Sequence, residues 1–385
     1  MREMSCIYLD NNATTPCAPE VVDAMLPFLR GAYGNPTSSH VMGRQASAAV
    51  ARAREQVAAL IGCEISEIVF TGGATESNNL ALLGFAENAE SSRKRILISA
   101  VEHKSVSAPC DILATRGFVI EEVPVDHSGL LRLEVLKDRL GEDVLFVSVQ
   151  AANNEVGTIQ PVEEITRYAH ACGALVHCDA AQALGKVQFR VDRIGVDLAS
   201  FSGHKLYGPK GVGALFVRQG LVGSQVAVVF GGGGQELGLR PGTLNVPGIV
   251  GMGLSCELAK SRLGEDAVQM GRLRDLFEEK LLSALPDARV NGNRASRLPG
   301  TTSVTIKGVP SDALMANVPQ VCISDGSACT SGTMAPSHVL LAMGISREEA
   351  ECTVRIGVGR YTTREDVEAG AGLLSKAALG LRFHG

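Results

Sequence analysis

The chain has 385 residues, 45% of them apolar and 20% charged, which is enough to bury a large core and suits two domains or one large α/β unit with an appendage. A balance of 36 Lys and Arg against 41 Asp and Glu gives a formal charge of −5, which argues against a general electrostatic grip on nucleic acid or an anionic membrane. No run approaches the roughly 18 apolar residues of a membrane span, and the opening MREMSCIYLDNN lacks the apolar core of a signal peptide. A cytoplasmic protein is expected, with no membrane contact and no direct nucleic-acid binding.

The segment IYLDNNATTP ends in turn formers, and a helix is expected from about Pro19 to Leu29, since proline suits the first helical position. After the loop GNPTSSH, the residues Val50, Ala53, Val57, Leu60 and Ile61 recur at helical spacing from Ala46 until Gly62 stops them. Glu67-Ile68-Val69-Phe70 then reads as a strand, followed by Thr71-Gly72-Gly73-Ala74-Thr75 and a helical run from Glu76 to Asn88. Strand, glycine turn and helix together aim unpaired backbone N–H groups and the positive helix end at one point, where an anion such as phosphate can sit. The turn has neither the Walker ending nor GxGxxG, and an ordinary βα turn stays open as the alternative.

Strands at 95–99, 118–123, 144–149 and 174–178 alternate with helices over Ser105–Arg116, Leu133–Leu140 and Val162–Cys172. Short apolar strands separated by helices imply a mainly parallel sheet covered on both faces, with ligands at the carboxyl ends of the strands. Just past those ends stand Thr75, then Glu102 and His103, then Asn153, Asn154 and Glu155, then Asp179 and Gln182. The run Val196–Phe201 leads in the same way into SFSGHKLYGPKG, with Ser202, His204 and Lys205.

Beyond Val217 come a glycine run at 231–234, the turn Arg240-Pro241-Gly242-Thr243, a helix over Asn245–Lys260 and a second from about Asp266 to Leu285. The last hundred or so residues alternate strands at 302–306, 321–324 and 352–359 with helices Pro336–Met343 and Thr363–Leu379. Thr363 with Asp366 resembles a capping box. The expected division is a large domain over 15–260 and a small α+β domain from 1–14 and 261–385.

The 10 cysteines show no CxxC pair, so neither a zinc site nor a disulfide framework is expected. Most lie in apolar runs as small buried hydrophobes. Cys329 differs: it stands in SDGSACTSGTMAPS, residues 324–337, where no periodic apolar face exists and a mobile surface loop is expected.

Lys205 alone is a weak signal, because a lysine in a glycine- and proline-rich turn is commonly just solvated. Asp179 could be a helix cap, His103 a satisfied core histidine and Gln182 a solvated amide. Their convergence on consecutive strand ends suggests more. Pyridoxal 5'-phosphate needs an amine for its aldehyde, a carboxylate for its ring nitrogen, and hydroxyls at a helix start for its phosphate.

The motifs YLDNNATTP, GNPTSSH, FTGGATESNNLA, EHKSV, NNEVGTIQP, HCDAAQALGK, SFSGHKLYGPKGVGAL, RPGTLNVPGIVGMG, GSACTSG and VRIGVGRYTTREDV run in order from residue 8 to 367. In these the chain resembles the pyridoxal-phosphate-dependent cysteine desulfurases of the NifS/IscS kind, within the class V aminotransferases. The resemblance implies the aspartate-aminotransferase-like fold (fold type I) and conversion of L-cysteine to L-alanine.

By the same resemblance Lys205 forms the internal aldimine, Asp179 holds the ring nitrogen, His103 stacks on the ring and moves protons, and Gln182 bonds the ring hydroxyl. Ala74, Thr75, Ser202 and His204 bind the phosphate, joined by Thr243 from the second subunit of a homodimer. Asn154, beside the cofactor, and Arg355 hold the substrate carboxylate. The Cys329 thiolate takes the sulfur as a persulfide, in a loop of the longer kind that can swing to a sulfur-acceptor protein. Iron–sulfur cluster assembly, tRNA thiolation and DNA phosphorothioation are the destinations that follow.

Three features depart from the family pattern, the first being a glycine run at 231–234 that is one residue longer than usual. Arg-Pro-Gly-Thr replaces the usual Arg-Ser-Gly-Thr at 240–243, and the chain runs only about thirty residues past Arg355, whereas scaffold-docking members carry a longer tail. Selenocysteine lyase, cysteine sulfinate desulfination and transamination are rival reactions on the same fold. A cofactor-binding scaffold without catalysis is the rival of another class.

Overall fold

The computed structural model describes residues 6–87, 93–221, 231–325 and 336–383. Cys329 therefore lies outside the described residues. After β1 (Ile7–Tyr8), seven strands form one sheet: β2 (Ile68–Thr71), β3 (Arg95–Ser99), β4 (Val119–Val123), β5 (Val144–Gln150), β6 (Leu175–Asp179), β7 (Leu198–Ser202) and β8 (Gly213–Val217). Their order is β2-β8-β7-β6-β5-β3-β4. Parallel pairing holds from β4 through β7, while β8 runs antiparallel to both β7 and β2. The stretch from Gly203 to Val212 is too short for a crossover, so β8 must turn back on β7.

Continuous apolar composition is what a doubly covered strand requires, and β2, β5, β7 and β8 are buried along their whole length. The edge strand β4 is instead largely open and carries Glu121 and Glu122, with Arg95 Nε 2.6 Å from Glu121 Oε1; charge on an edge discourages pairing with another chain. The helix Ala74–Glu87 carries the chain from β2 across the sheet to β3. Leu80, Ala81, Leu82, Leu83, Phe85 and Ala86 are all buried, so it is apolar nearly all round, as a covered helix must be. Strand order reverses between β3 and β5, which opens a crevice at their carboxyl ends.

The remaining strands are β9 (Arg289–Asn291), β10 (Thr301–Thr305), β11 (Val321–Cys322) and β12 (Thr353–Gly357). An antiparallel sheet has the order β12-β10-β9, and β1 pairs in parallel with β11. Leu9, Phe277, Val304, Ile356 and Leu374 form a core here that is separate from the core under the large sheet. One helix of 39 residues, Val246–Ala284, contributes to both: Met252 and Cys256 to one, Phe277 and Leu281 to the other.

That helix corrects the expectation of two helices parted near residue 262. Gly264 faces open space, so it costs about 1 kcal/mol in a helix rather than ending it. Asp266, 2% exposed, is held by Arg360 at 2.8 Å and Arg262 at 3.7 Å just past the expected break. Nearer the helix start, Gly253 permits a tight crossing, since a Cβ there would stand 2.5 Å from Ala53 Cα on the helix Val41–Ile61. The latter helix begins at Val41 rather than Ala46. His40 caps it by accepting from Gly43 N at 3.3 Å, in a polar stretch that hides the apolar period.

The capping box is present as read: Thr363 Oγ1 accepts from Asp366 N at 3.1 Å, and Asp366 Oδ2 accepts from Thr363 N at 2.9 Å. Residues 10–15 lace the two parts together. Asn11 donates through N and Nδ2 to Gly357 O, and Thr15 N donates to His204 O at 3.0 Å. Among the described residues the cysteines are free thiols, and no helix is long and apolar enough to cross a membrane.

Candidate active site

A cavity of about 800 Å3 opens at the carboxyl ends of the sheet strands. Ala74, Thr75, Ser202 and His204 line one side, Asp179, Gln182 and Lys205 the floor, and His103, Asn154 and Arg355 the remainder. Ten of the residues singled out from the sequence thus meet in one place. Thr243 is exposed and does not line this cavity.

Lys205 ends the short helical turn that follows β7, and its Nζ donates to Asn12 O at 2.6 Å and Ala13 O at 2.7 Å. Asp179, at the last position of β6, is 7% exposed; Oδ1 accepts from Ala181 N at 3.0 Å and Oδ2 from Asn78 Nδ2 at 2.8 Å. Asn78 Nδ2 also donates to Ser105 Oγ at 2.8 Å. Ser105 Oγ stands 2.7 Å from His103 Nδ1, and Nδ1 accepts from Ser105 N at 3.1 Å. A backbone N–H can only donate, so Nδ1 carries a lone pair and the proton of the neutral imidazole sits on Nε2. His103 takes this orientation as the N-cap of the helix Lys104–Thr115.

Gly72, Gly73, Ala74 and Thr75 bring the start of the helix Ala74–Glu87 to the opposite side, where the first N–H groups have no intrahelical partner. Close packing sets this turn: a Cβ at Gly213 would lie 2.6 Å from Gly73 Cα and 2.4 Å from Phe201 O. Glu76 accepts from Gly72 N at 2.6 Å, and Arg240 Nε answers the Glu76 carboxylate at 2.8 Å. His204 Nδ1 lies 3.0 Å from Thr14 Oγ1. Burial, then Lys205, Lys210 and Lys186, holds its imidazole down at about 4, so it is neutral beside the helix start.

Arg355, on β12, is 4% exposed; Nη2 reaches Asp10 Oδ1 at 2.7 Å and Nη1 reaches Asn154 O at 3.2 Å. Behind the floor, Lys186 Nζ donates to Gln182 Oε1 at 2.6 Å, and Gln182 Nε2 donates to Asn12 O at 2.9 Å. Two buried carboxyls complete the surroundings. Burial, then Asp179, pushes the Glu102 carboxyl well above its ordinary value, against the pull of the Gln150 N–H. Burial pushes Glu155 up to about 7, against the pull of the Ser337 hydroxyl.

The donor set fits pyridoxal phosphate. An amine, a buried carboxylate already oriented by two donors, an imidazole of defined tautomer and hydroxyls at a helix start surround one cavity. Lys205, Lys210 and Arg355 line it against Asp179 and Glu76, a cationic balance suited to a phosphate and an amino-acid carboxylate.

Sequence reading missed Asn78, Ser105, Asn12, Asp10 and Lys186. Asn78 had a signal, a polar residue inside a helix that is otherwise apolar all round. Asp10 and Asn12 had none beyond turn propensity, because their partners lie far along the chain.

The sequence matches the aminotransferase class-V family model over residues 7–369. It is 45% identical over 377 residues to the cysteine desulfurase IscS of Anaeromyxobacter dehalogenans (strain 2CP-C), covering 98% of this chain and 93% of that relative. Among solved structures it is similar to a NifS-like protein, with a TM-score of 0.90 and 40% identity over 98% of this chain and 100% of that one. It is also similar to SspA in complex with cysteine, with a TM-score of 0.81 and 35% identity over 92% of this chain and 99% of that one.

Proposed function

The chain belongs to the aminotransferase class-V family and is a cysteine desulfurase that yields alanine and passes sulfur on as a persulfide, and from that premise we propose that Cys329 receives the sulfur while Lys205, His103 and Asp179 serve a pyridoxal 5'-phosphate in the cavity. The family implies that cofactor. When bound, it supplies a conjugated ring that takes up the electron pair released at the substrate α-carbon.

Lys205 Nζ would hold the cofactor and, once the substrate amine has displaced it, would take the α-proton of L-cysteine. Asp179 accepts from the ring nitrogen, and His103 supplies the Nε2 proton of its fixed tautomer. Arg355 and Asn154 hold the substrate carboxylate. Ala74, Thr75, Ser202 and His204 would hold the phosphate, with the partner subunit's Thr243 closing the site in a homodimer. The Cys329 thiolate attacks the substrate sulfur: the Cβ–S bond breaks, an S–S bond forms on Cys329, and the carbon keeps the electron pair, is protonated and leaves as alanine.

One observation supports the assignment of Cys329 above the others. Both flanks of residues 326–335 are tied to lining residues or their immediate neighbours: Ser324 exchanges backbone hydrogen bonds with Arg355 at 2.6 and 3.3 Å, Ser337 Oγ donates to Glu155, next to Asn154, and His338 Nε2 lies 2.9 Å from O of Glu102, next to His103. The test is alanine and persulfide formation from L-cysteine by wild type and by Cys329→Ser. The substituted enzyme is expected to form neither, and unchanged turnover would remove Cys329 from the scheme. Lys205→Ala separately checks the cofactor, through loss of the visible absorbance band of the holoenzyme. We place the reaction in the cytoplasm, with an acceptor protein serving iron–sulfur assembly, tRNA thiolation or DNA phosphorothioation. Capture of proteins on the Cys329 persulfide distinguishes these routes.

A further inference from the structure

Lys186 is 8% exposed, and its Nζ donates to a neutral amide oxygen, Gln182 Oε1. The titratable groups that face it are cations or neutral: Lys205 and His204 on the turn after β7, and Arg355 on β12, itself paired with Asp10. Burial, then Lys205 and Arg355, lowers its amine to about 7. An amine in such a place costs stability that methionine, of similar length, would not. Its retention therefore calls for a role in the loaded site.

The geometry supplies one. Gln182 can present either end of its amide to the cavity, and the two ends are opposite in hydrogen-bonding character. Here Oε1 accepts from Lys186 Nζ at 2.6 Å, and Nε2 gives one proton to Asn12 O, which can only accept. Asn12 O rejects the flipped amide outright, and the Lys186 amine does so whenever it is protonated. Asn12 O also accepts from Lys205 Nζ, so donation from Lys186 through Gln182 and donation from Lys205 converge on this one carbonyl. The second Nε2 proton is left for the cavity, which Gln182 lines.

We propose that Lys186 is a positioning residue for the desulfurase reaction: it pins the Gln182 amide so that Nε2–H, and not Oε1, is offered to the ring oxygen of bound pyridoxal phosphate. This rests on the reading of Gln182 as the partner of that oxygen. A donor there favours the ionised oxygen and an acceptor the protonated one, so the amide's orientation sets the charge state in which the loaded enzyme meets its substrate.

The experiment follows the pH midpoint of the visible absorbance change of the holoenzyme, with kcat and KM for L-cysteine, in wild type, Lys186→Met, Gln182→Met and the double variant. Lys186→Met should raise the midpoint by about one unit, a tenfold change in proton affinity, and lower kcat more than it raises KM. Adding Lys186→Met to Gln182→Met should move the midpoint little. Lys186→Gln, which keeps an N–H donor without the charge, should lie nearer wild type than Lys186→Met. An unchanged midpoint in Lys186→Met overturns the proposal, as does an equal shift with and without Gln182, which would mean that charge alone acts. Should Gln182→Met itself leave the midpoint where it was, the reading of Gln182 as the ring-oxygen partner fails first, and the role of Lys186 with it.

Discussion

Arg355 and Asp10 form an ion pair of 2.7 Å at the rim of the cavity, between β12 and the segment that follows β1. The guanidinium keeps one arm on Asp10 and the other on Asn154 O, and so is oriented before any substrate arrives. A carboxylate entering the cavity meets a planar cation whose place is already set, which limits the ordering cost of binding.

Replacement of Arg355 by lysine keeps the charge and loses the fork. KM for L-cysteine is expected to rise about tenfold or more while kcat changes less, because a point cation cannot hold Asp10, Asn154 O and a carboxylate together. Steady-state kinetics decide the matter. An unaltered KM would show that the substrate carboxylate is held elsewhere.

Asn78 joins Asp179 to the Ser105 and His103 pair through the two protons of one nitrogen. Asn78→Ala removes both bonds from a fully buried place, with an expected loss of about 1–3 kcal/mol. Asp179 loses one of its two donors, so affinity for pyridoxal phosphate should fall as well. Thermal unfolding of the apoprotein and a fluorescence titration with the cofactor measure the two effects separately. The network has no such importance if both are as in wild type.

How far the fold and site could be read in advance depended on the distance over which each interaction acts. The β2 turn, His103, Asp179, Gln182 and Lys205 were legible because each lies at or just past the end of an apolar strand, and strand ends of a parallel sheet gather by construction. Asp10 and Asn12 were not, since their partners Arg355 and Lys205 stand 345 and 193 residues away, and only the pairing of β1 with β11 and the lacing of residues 10–15 bring them there. Lys186 was hidden for another reason: charge normally marks an outward face, and here it points under the cavity floor. The expected break near residue 262 failed because a glycine with open space beside it weakens a helix less than burial of Asp266 holds it.

Gly213 gives the most direct test of the phosphate turn. A Cβ at this position would meet Gly73 Cα and Phe201 O at distances no side chain accepts, so Gly213→Ala must displace the backbone of either β7 or the turn. The expected cost is at least about 1–3 kcal/mol, accompanied by weaker cofactor binding. Gly372, exposed in the helix Arg364–Phe383 with nothing nearby, is the control: Gly372→Ala should be neutral or gain up to about 1 kcal/mol. Equal effects of the two substitutions on cofactor affinity would contradict the packing account.

Glu155 predicts a pH dependence. Its carboxyl is raised from the ordinary value near 4.5 to about 7, first by burial, with Ser337 and then Arg355 pulling it back and Asp325 pushing it further up. Between those two values the folded chain keeps a proton that the unfolded chain has released. The stability this contributes is fully present below about 4.5 and is lost as pH rises through 7. Glu155→Gln retains an oxygen to accept from Ser337 and removes the titration, so between pH 5 and pH 8 the variant should gain roughly 2–3 kcal/mol on wild type. Denaturant unfolding of wild type and variant at the two pH values measures the difference, and a gap that stays constant across them refutes the buried, raised carboxyl.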